Sequence, residues 1–182
     1  MGAAMVRFHV KAWQLGLPLG LLAALGLGHG VDGSAAEGQA ARPPQQLPIT
    51  AQWCLSGQPV CIGLEVARTP QQQSFGLQRR PRLAPLRGMW FPYSTPTPVR
   101  FWMHLTPEPL DMLFVRDGRV VTVVAQARPC MHLPCPSYGP GTPVDGVVEL
   151  AGGEAARLGL KAGTPVTITP LPLSRSPGAA AP

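Results

Sequence analysis

The chain has 182 residues, of which only 13% are charged, with 23 prolines, 21 glycines and a net charge of +6 carried by thirteen Arg and two Lys. That length suits one domain with a buried core, and the Pro/Gly content argues against a long-helix architecture. The Arg residues are scattered apart from Arg79, Arg80 and Arg82, without the aromatic-interleaved basic stripe of a nucleic-acid footprint, so nucleic acid is not an expected partner.

Residues 1–36 read as a removable export signal. Arg7 and Lys11 make a positive start, Ala12–Gly28 is apolar and Leu-rich, and Ser34-Ala35-Ala36 offers small residues for cleavage. Pro18 and the local glycines make a poor membrane span, and no Cys follows to take a lipid, so no membrane insertion is expected after cleavage. The implied destination is the periplasm or the exterior. All four Cys lie downstream, an even number suited to an oxidising compartment. Residues 37–48 form a Pro/Gln/Ala stretch without periodicity, read as a disordered linker.

Ile49–Leu55 and Val60–Val66 predict two strands around Ser56-Gly57-Gln58-Pro59. Such a hairpin sets Cys54 opposite Cys61, within reach of a disulfide, and two small buried thiols are the other reading. Thr69-Pro70-Gln71-Gln72 is a helix start, with Thr as N-cap, Pro at the first helical position and Gln closing a capping box. The helix is expected over Pro70–Gln78 with Phe75 facing inward. Arg79, Arg80 and Arg82 then suit a helix C-terminus, or form an anion clamp. Met89-Trp90-Phe91 reads as a brief strand and Pro92–Pro98 as a proline-stiffened loop.

Val99–Gln126 is the stretch around which the rest is organised. Leu110–Val115 and Val120–Val124 are apolar runs joined at Asp117-Gly118, a dipeptide suited to the positive φ angles of a type I′ turn. A hairpin buried on both faces over part of its length is expected at the centre of the core. Cys130–Cys135 and Pro136–Pro143 form an irregular loop. Val144–Leu150 is a strand containing Asp145 and Glu149, Gly153–Leu158 a short helix that Gly159 can end, and Val166–Thr169 a last strand. Residues 170–182 are a low-complexity tail, expected to be disordered. The expectation is a single domain over 49–169, mainly β, sandwich-like or barrel-like, with one or two short helices.

Four stretches, LEVARTPQQQSFGLQRR, RGMWF, FWMHLTPEPLDMLFVRDGRVV and VVELAGGEAARLGLKAG, resemble the domain of unknown function 192 family of bacteria and archaea. The resemblance runs from about Gly63 to Ile168 and implies a compact, β-rich domain; the family supplies no established activity. The chain departs from the family's pattern at His104-Leu105, where Lys-Asn is usual. It departs also at Gln78, where Met is common, and at Thr164, where Asp often stands. The resemblance puts the family's Arg near the first helix at Arg80.

Asp111 lies inside an apolar run, where a carboxylate must be hydrogen-bonded, paired or shifted in pKa. It is either a satisfied structural acid, taking backbone N–H groups or an Arg such as Arg80, or the polar anchor of a pocket lined by Trp102 and Met103. Glu65 and Glu149 sit comparably within strands and are each expected to pair with an Arg. Met103-His104 and Met131-His132, with Cys130 and Cys135, offer soft ligands for copper or zinc. Yet Cys-x4-Cys is not a usual zinc spacing, and export would consume the thiolates as a Cys130–Cys135 disulfide. No metal site, cofactor or catalytic residue is assigned, since neither a nucleophile elbow nor a phosphate loop is present.

The leading expectation is an exported, monomeric, non-catalytic module that binds a small molecule or a partner protein. Its site would lie between Phe101–His104, Asp111 and Pro92–Pro98. Trp102, Met103 and His104 would supply contact, Asp111 an acceptor and Arg80 a countercharge. The rivals are an enzyme of undescribed type using Asp111 or Glu65 as acid or base, and a soft-metal binder through His104, Met103 and His132.

Overall fold

The structure, a computed structural model, describes residues 43–172; the expected export signal, residues 37–42 of the linker and the tail beyond Pro172 lie outside the described residues. In chain order the elements are β1 (Ile49–Cys54), β2 (Cys61–Val66), α1 (Pro70–Phe75), β3 (Arg87–Thr97), β4 (Phe101–Trp102) and β5 (Leu110–Arg116). Then come β6 (Arg119–Ala127), β7 (Ser137–Tyr138), β8 (Val144–Ala151), α2 (Glu154–Arg157) and β9 (Ile168–Pro170). The protein is mostly β, as expected.

Seven strands make one sheet in the order β6-β5-β8-β3-β2-β1-β9, and β4 pairs with β7 in a small second sheet. Every pairing is antiparallel except β2 with β3. The segment leading into β9 draws the two edges of the large sheet together. Val120 N–H donates to the Thr164 carbonyl, Gly163 N–H to Val120 and Val166 N–H to Gly118, while β9 itself pairs with β1. Closure of this kind satisfies edge groups that would otherwise be open to pairing. The result is barrel-like.

The period-two alternation of strand side chains then sorts residues to two buried faces. Trp53, Ile62, Leu64, Leu113, Val148 and Leu150 point to the inside, where Ala155 and Leu158 of the α2 turn close over them. Met89, Phe91, Met112, Phe114 and Val147 point outward and are covered by Leu77, Leu83 and Met103. Along β8, Val148 and Leu150 go inward, while Val147, Glu149 and Ala151 take the outer phase.

Several local expectations hold. Asp117 and Gly118 have φ of 49° and 66°, as the turn between β5 and β6 requires. Cys54 faces Cys61 across β1 and β2, and disulfides join Cys54 to Cys61 and Cys130 to Cys135. Thr69 Oγ1 accepts the Gln72 N–H at 3.1 Å while Gln72 Oε1 accepts the Thr69 N–H at 3.0 Å, completing the capping box.

Other expectations need correction. The hairpin is not central: β8 and β3 are, and β6 is an edge strand whose Val121 and Ala125 are exposed because no further strand lies beyond it. The first helix stops at Phe75, since Gly76 takes φ 51°, and the buried anchor is Leu77 rather than the half-buried Phe75. β3 runs on through Pro92 to Thr97, because β8 pairs with it on both sides of a register shift that accommodates the proline. Part of the expected loop after Cys135 is β7. The last strand begins only at Ile168, because Val166 bonds to Gly118 instead. Residues 43–48 lie against the domain: Gln45 Nε2 donates to the Gln72 and Gly76 carbonyls, and Leu47 N–H to Glu65 Oε2.

Candidate functional site

Asp111 is 0% exposed and points inward from β5. Its Oδ2 accepts the Ala155 N–H at 2.8 Å and its Oδ1 the Gln126 N–H at 2.7 Å. The carboxylate therefore ties the first turn of α2 to a β6 residue, Gln126, that sits at φ 49°. Arg80 does not reach it. Arg80 Nη1 lies 2.7 Å from both carboxylate oxygens of Glu65, which also holds the Leu47 N–H.

Trp102 and His104 lie together, with ring centroids 5.1 Å apart, and Trp102 is 48% exposed. Met103, between them, is buried in the outer core. This group belongs to the outer face of the sheet and Asp111 to the inner, so Trp102, Met103 and His104 come together while Asp111 and Arg80 stand elsewhere. The soft-metal set does not assemble either. Met103 is sealed in the core, Cys130 and Cys135 are bonded to each other, and no three His, Cys, Asp or Glu side chains gather as a ligand group among the described residues.

The acid that does share a hollow with Trp102 is Glu149. It sits at the middle of β8, in register with Met89 on one side and Met112 on the other, with its side chain in the outer phase. It is 4% exposed, its carboxyl makes no hydrogen bond or ion pair among the described residues, and its oxygens keep an opening to solvent through the crevice. The Arg partner expected for it is absent there, because Arg80 serves Glu65, Arg157 serves Glu154 at 2.6 Å, and Arg116 serves Asp117 and Asp145. Burial without a partner disfavours the charged form and pushes the Glu149 carboxyl up to about 8. Tyr93 on β3 is pushed up to about 12, first by its own burial and then by the charge of Glu149.

Glu149 forms the floor of a crevice of about 40 Å³. Phe91, Phe101 and Trp102 contribute aromatic walls, and the turn after α1, Gly76–Gln78, forms the opposite bank with Thr106 nearby. The walls are held in place by edge-to-face packing, with Phe101 5.1 Å from Phe91 and 6.0 Å from Phe114. The sequence carried one signal of this site: Glu149 shares the strand phase of Val147 and Ala151, which are core residues. What it could not carry was the register that places two methionines, rather than an Arg, beside the carboxyl.

The profile of the domain of unknown function 192 family, described as an uncharacterised ACR, matches residues 51–168. The chain belongs to this family. Two crystal structures are similar to this member of the domain of unknown function 192 family. One, a protein of unknown function from Novosphingobium aromaticivorans DSM 12444, is 33% identical with a TM-score of 0.59, over 70% of this chain and 94% of that one. The other, a Sinorhizobium meliloti 1021 protein provisionally called a transcription regulator, is 32% identical with a TM-score of 0.56, over 66% of this chain and 91% of that one. No curated protein matches. Among the described residues, no helix is long and apolar enough to cross a membrane.

Proposed function

We propose that this family member is an exported, monomeric, non-catalytic binding module whose site is the aromatic crevice over Glu149. One observation carries the reading: an almost buried carboxyl without a protein partner opens onto a hollow walled by Phe91, Phe101 and half-exposed Trp102. Such an acid costs stability where it stands, and a methionine like its neighbours Met89 and Met112 would fill the place without that cost. Costly buried polar groups of this kind concentrate where a ligand uses them.

Binding is favoured over catalysis because Glu149 is the one ionisable side chain of the lining, and the hydroxyls there, Ser74 and Thr106, have no second acid or base beside them to form a catalytic set. The enzyme reading draws little from Asp111 or Glu65, whose oxygens are already occupied by backbone N–H groups and by Arg80. Two disulfides are compatible with export, which the leader-like residues 1–36 suggest.

A fragment screen read by backbone amide and indole N–H shifts tests the site. Binders are expected to move the Trp102 indole together with the amides of Gln78 and Thr106. Binders that move only resonances far from Trp102 would remove the crevice from consideration.

A further inference from the structure

We propose that the crevice takes a primary ammonium group on a slim aliphatic stem, the chemistry of a lysine side chain or a small alkylamine. This names the ligand of the site proposed above and rests on that reading. Charge points to a cation. Glu149 is the ionisable group of the lining, and the polar residues around it, Gln73, Ser74, Gln78 and Thr106, are neutral. An anion would meet a carboxyl with no cationic support, and a neutral guest would leave the burial of that carboxyl uncompensated. A cation at hydrogen-bond distance turns it into a buried ion pair.

The walls agree. Phe91, Phe101 and Trp102 surround a guest on the sheet side, and aromatic rings within about 6 Å attract an ammonium through their quadrupoles. Size narrows the class further. A hollow of about 40 Å³ has room for roughly three water-sized spheres, at about 10–15 Å³ each, which suits a head group with the first carbons of a chain. A planar guanidinium or a quaternary ammonium is too broad. The half-exposed Trp102 indole then lies at the mouth, where the methylenes of the stem would run.

Binding exchanges a proton. The neutral Glu149 carboxyl gives its proton to solvent, and the carboxylate left behind accepts N–H bonds from the ammonium, so the complex gains one cation and loses one proton. Tyr93 on β3 is a second titratable group nearby, itself raised in part by the charge of Glu149. The residues in register on β3 and β5 are Met89 and Met112, and the α1 turn and Thr106 present no charge to the crevice. Tyr93 stays neutral across the working range, so the linkage belongs to Glu149.

Calorimetry and Trp102 indole shifts on the full chain, with n-butylamine and with Nα-acetyl-lysine methylamide, provide the test. Nα-acetyl-arginine methylamide, tetramethylammonium and the neutral n-butanol are the comparison ligands. Both primary amines are expected to bind, with affinity rising up to about tenfold per pH unit between pH 5 and 8 and with close to one proton released at pH 7 in paired buffers. The arginine and tetramethylammonium compounds should bind at least about tenfold more weakly, on size grounds. Glu149→Gln should abolish amine binding without lowering the thermal midpoint. Trp102→Ala, a half-exposed position, should weaken binding several-fold in a folded protein. Tighter binding of butylamine than of the lysine amide would identify a free amine as the source, and the reverse order a protein side chain. Amine binding by Glu149→Gln at wild-type strength would overturn the proposal. Movement of Trp102 by butanol but by no amine would overturn the ligand class and leave the site standing; movement by neither would remove both.

Discussion

Asp111 and Glu149 occupy adjacent strands of one sheet and are both buried residues, yet their surroundings differ in kind. Asp111 faces the interior and has a backbone N–H for each oxygen, from Gln126 and Ala155. Glu149 faces the outer core, lies between two methionines and has no partner, only the crevice. Burial is the same for both, so burial does not separate a structural acid from a functional one. Partner count does, because a desolvated acid is stable only when its lone pairs are taken up. The first acid holds the barrel together; the second is held by it.

That contrast can be broken experimentally, beginning with pH. Glu149 ionises near 4.5 in an unfolded chain and near 8 in the folded protein. Below about pH 4.5 both states hold the proton and the group contributes nothing. As pH rises toward 8 the unfolded state alone ionises, so the folded state loses stability, by roughly 4–5 kcal/mol once the window is crossed. Urea unfolding at pH 5 and pH 8.5 should show this loss in the wild type, and Glu149→Gln should reduce it strongly. Asp111→Ala comes next. It leaves the buried Ala155 N–H and the part-buried Gln126 N–H without acceptors and should cost about 3–4 kcal/mol at pH 7, measured by the same unfolding midpoint. Unlike Glu149→Gln, it should leave the Trp102 indole resonance in place.

Arg80→Ala sharpens the comparison from a third acid. Glu65 resembles Glu149 in being buried on a strand, but it has Arg80, and removing that partner should cost about 3 kcal/mol, measured by the same urea unfolding. The smallest effect concerns neither acid. Reducing Cys54–Cys61, which closes a short loop, should lower stability by about 2 kcal/mol while leaving the crevice intact, as thermal unfolding of Cys54→Ala/Cys61→Ala will read.

What was legible in the sequence was local. The Asp117-Gly118 turn, the Thr69/Gln72 capping box and the opposition of Cys54 and Cys61 each depend on residues a few positions apart, and each is found as expected. The path of β3 beyond Pro92 was not legible, because proline is tolerated there only through a register shift against β8, a strand some fifty residues away. The hairpin's place at the edge was equally hidden, since its valines read the same in an edge strand as in a central one. The same limit governed the site. Asp111 reads from its apolar run as a carboxylate that needs satisfying, but its partners are backbone groups of Gln126 and Ala155, which carry no side-chain signature. Glu149 sat in view among valines, and only the pairing of β8 between β3 and β5 gives it methionine neighbours.

The most direct measurement is a carbon-13 titration of the Glu149 side-chain carboxyl, assigned by its loss in Glu149→Gln. A midpoint near 8 in the free protein, falling when n-butylamine saturates the crevice, is the predicted result. A midpoint between 4 and 5 in the free protein, the ordinary range for a glutamate, would contradict it and leave the crevice without its acid.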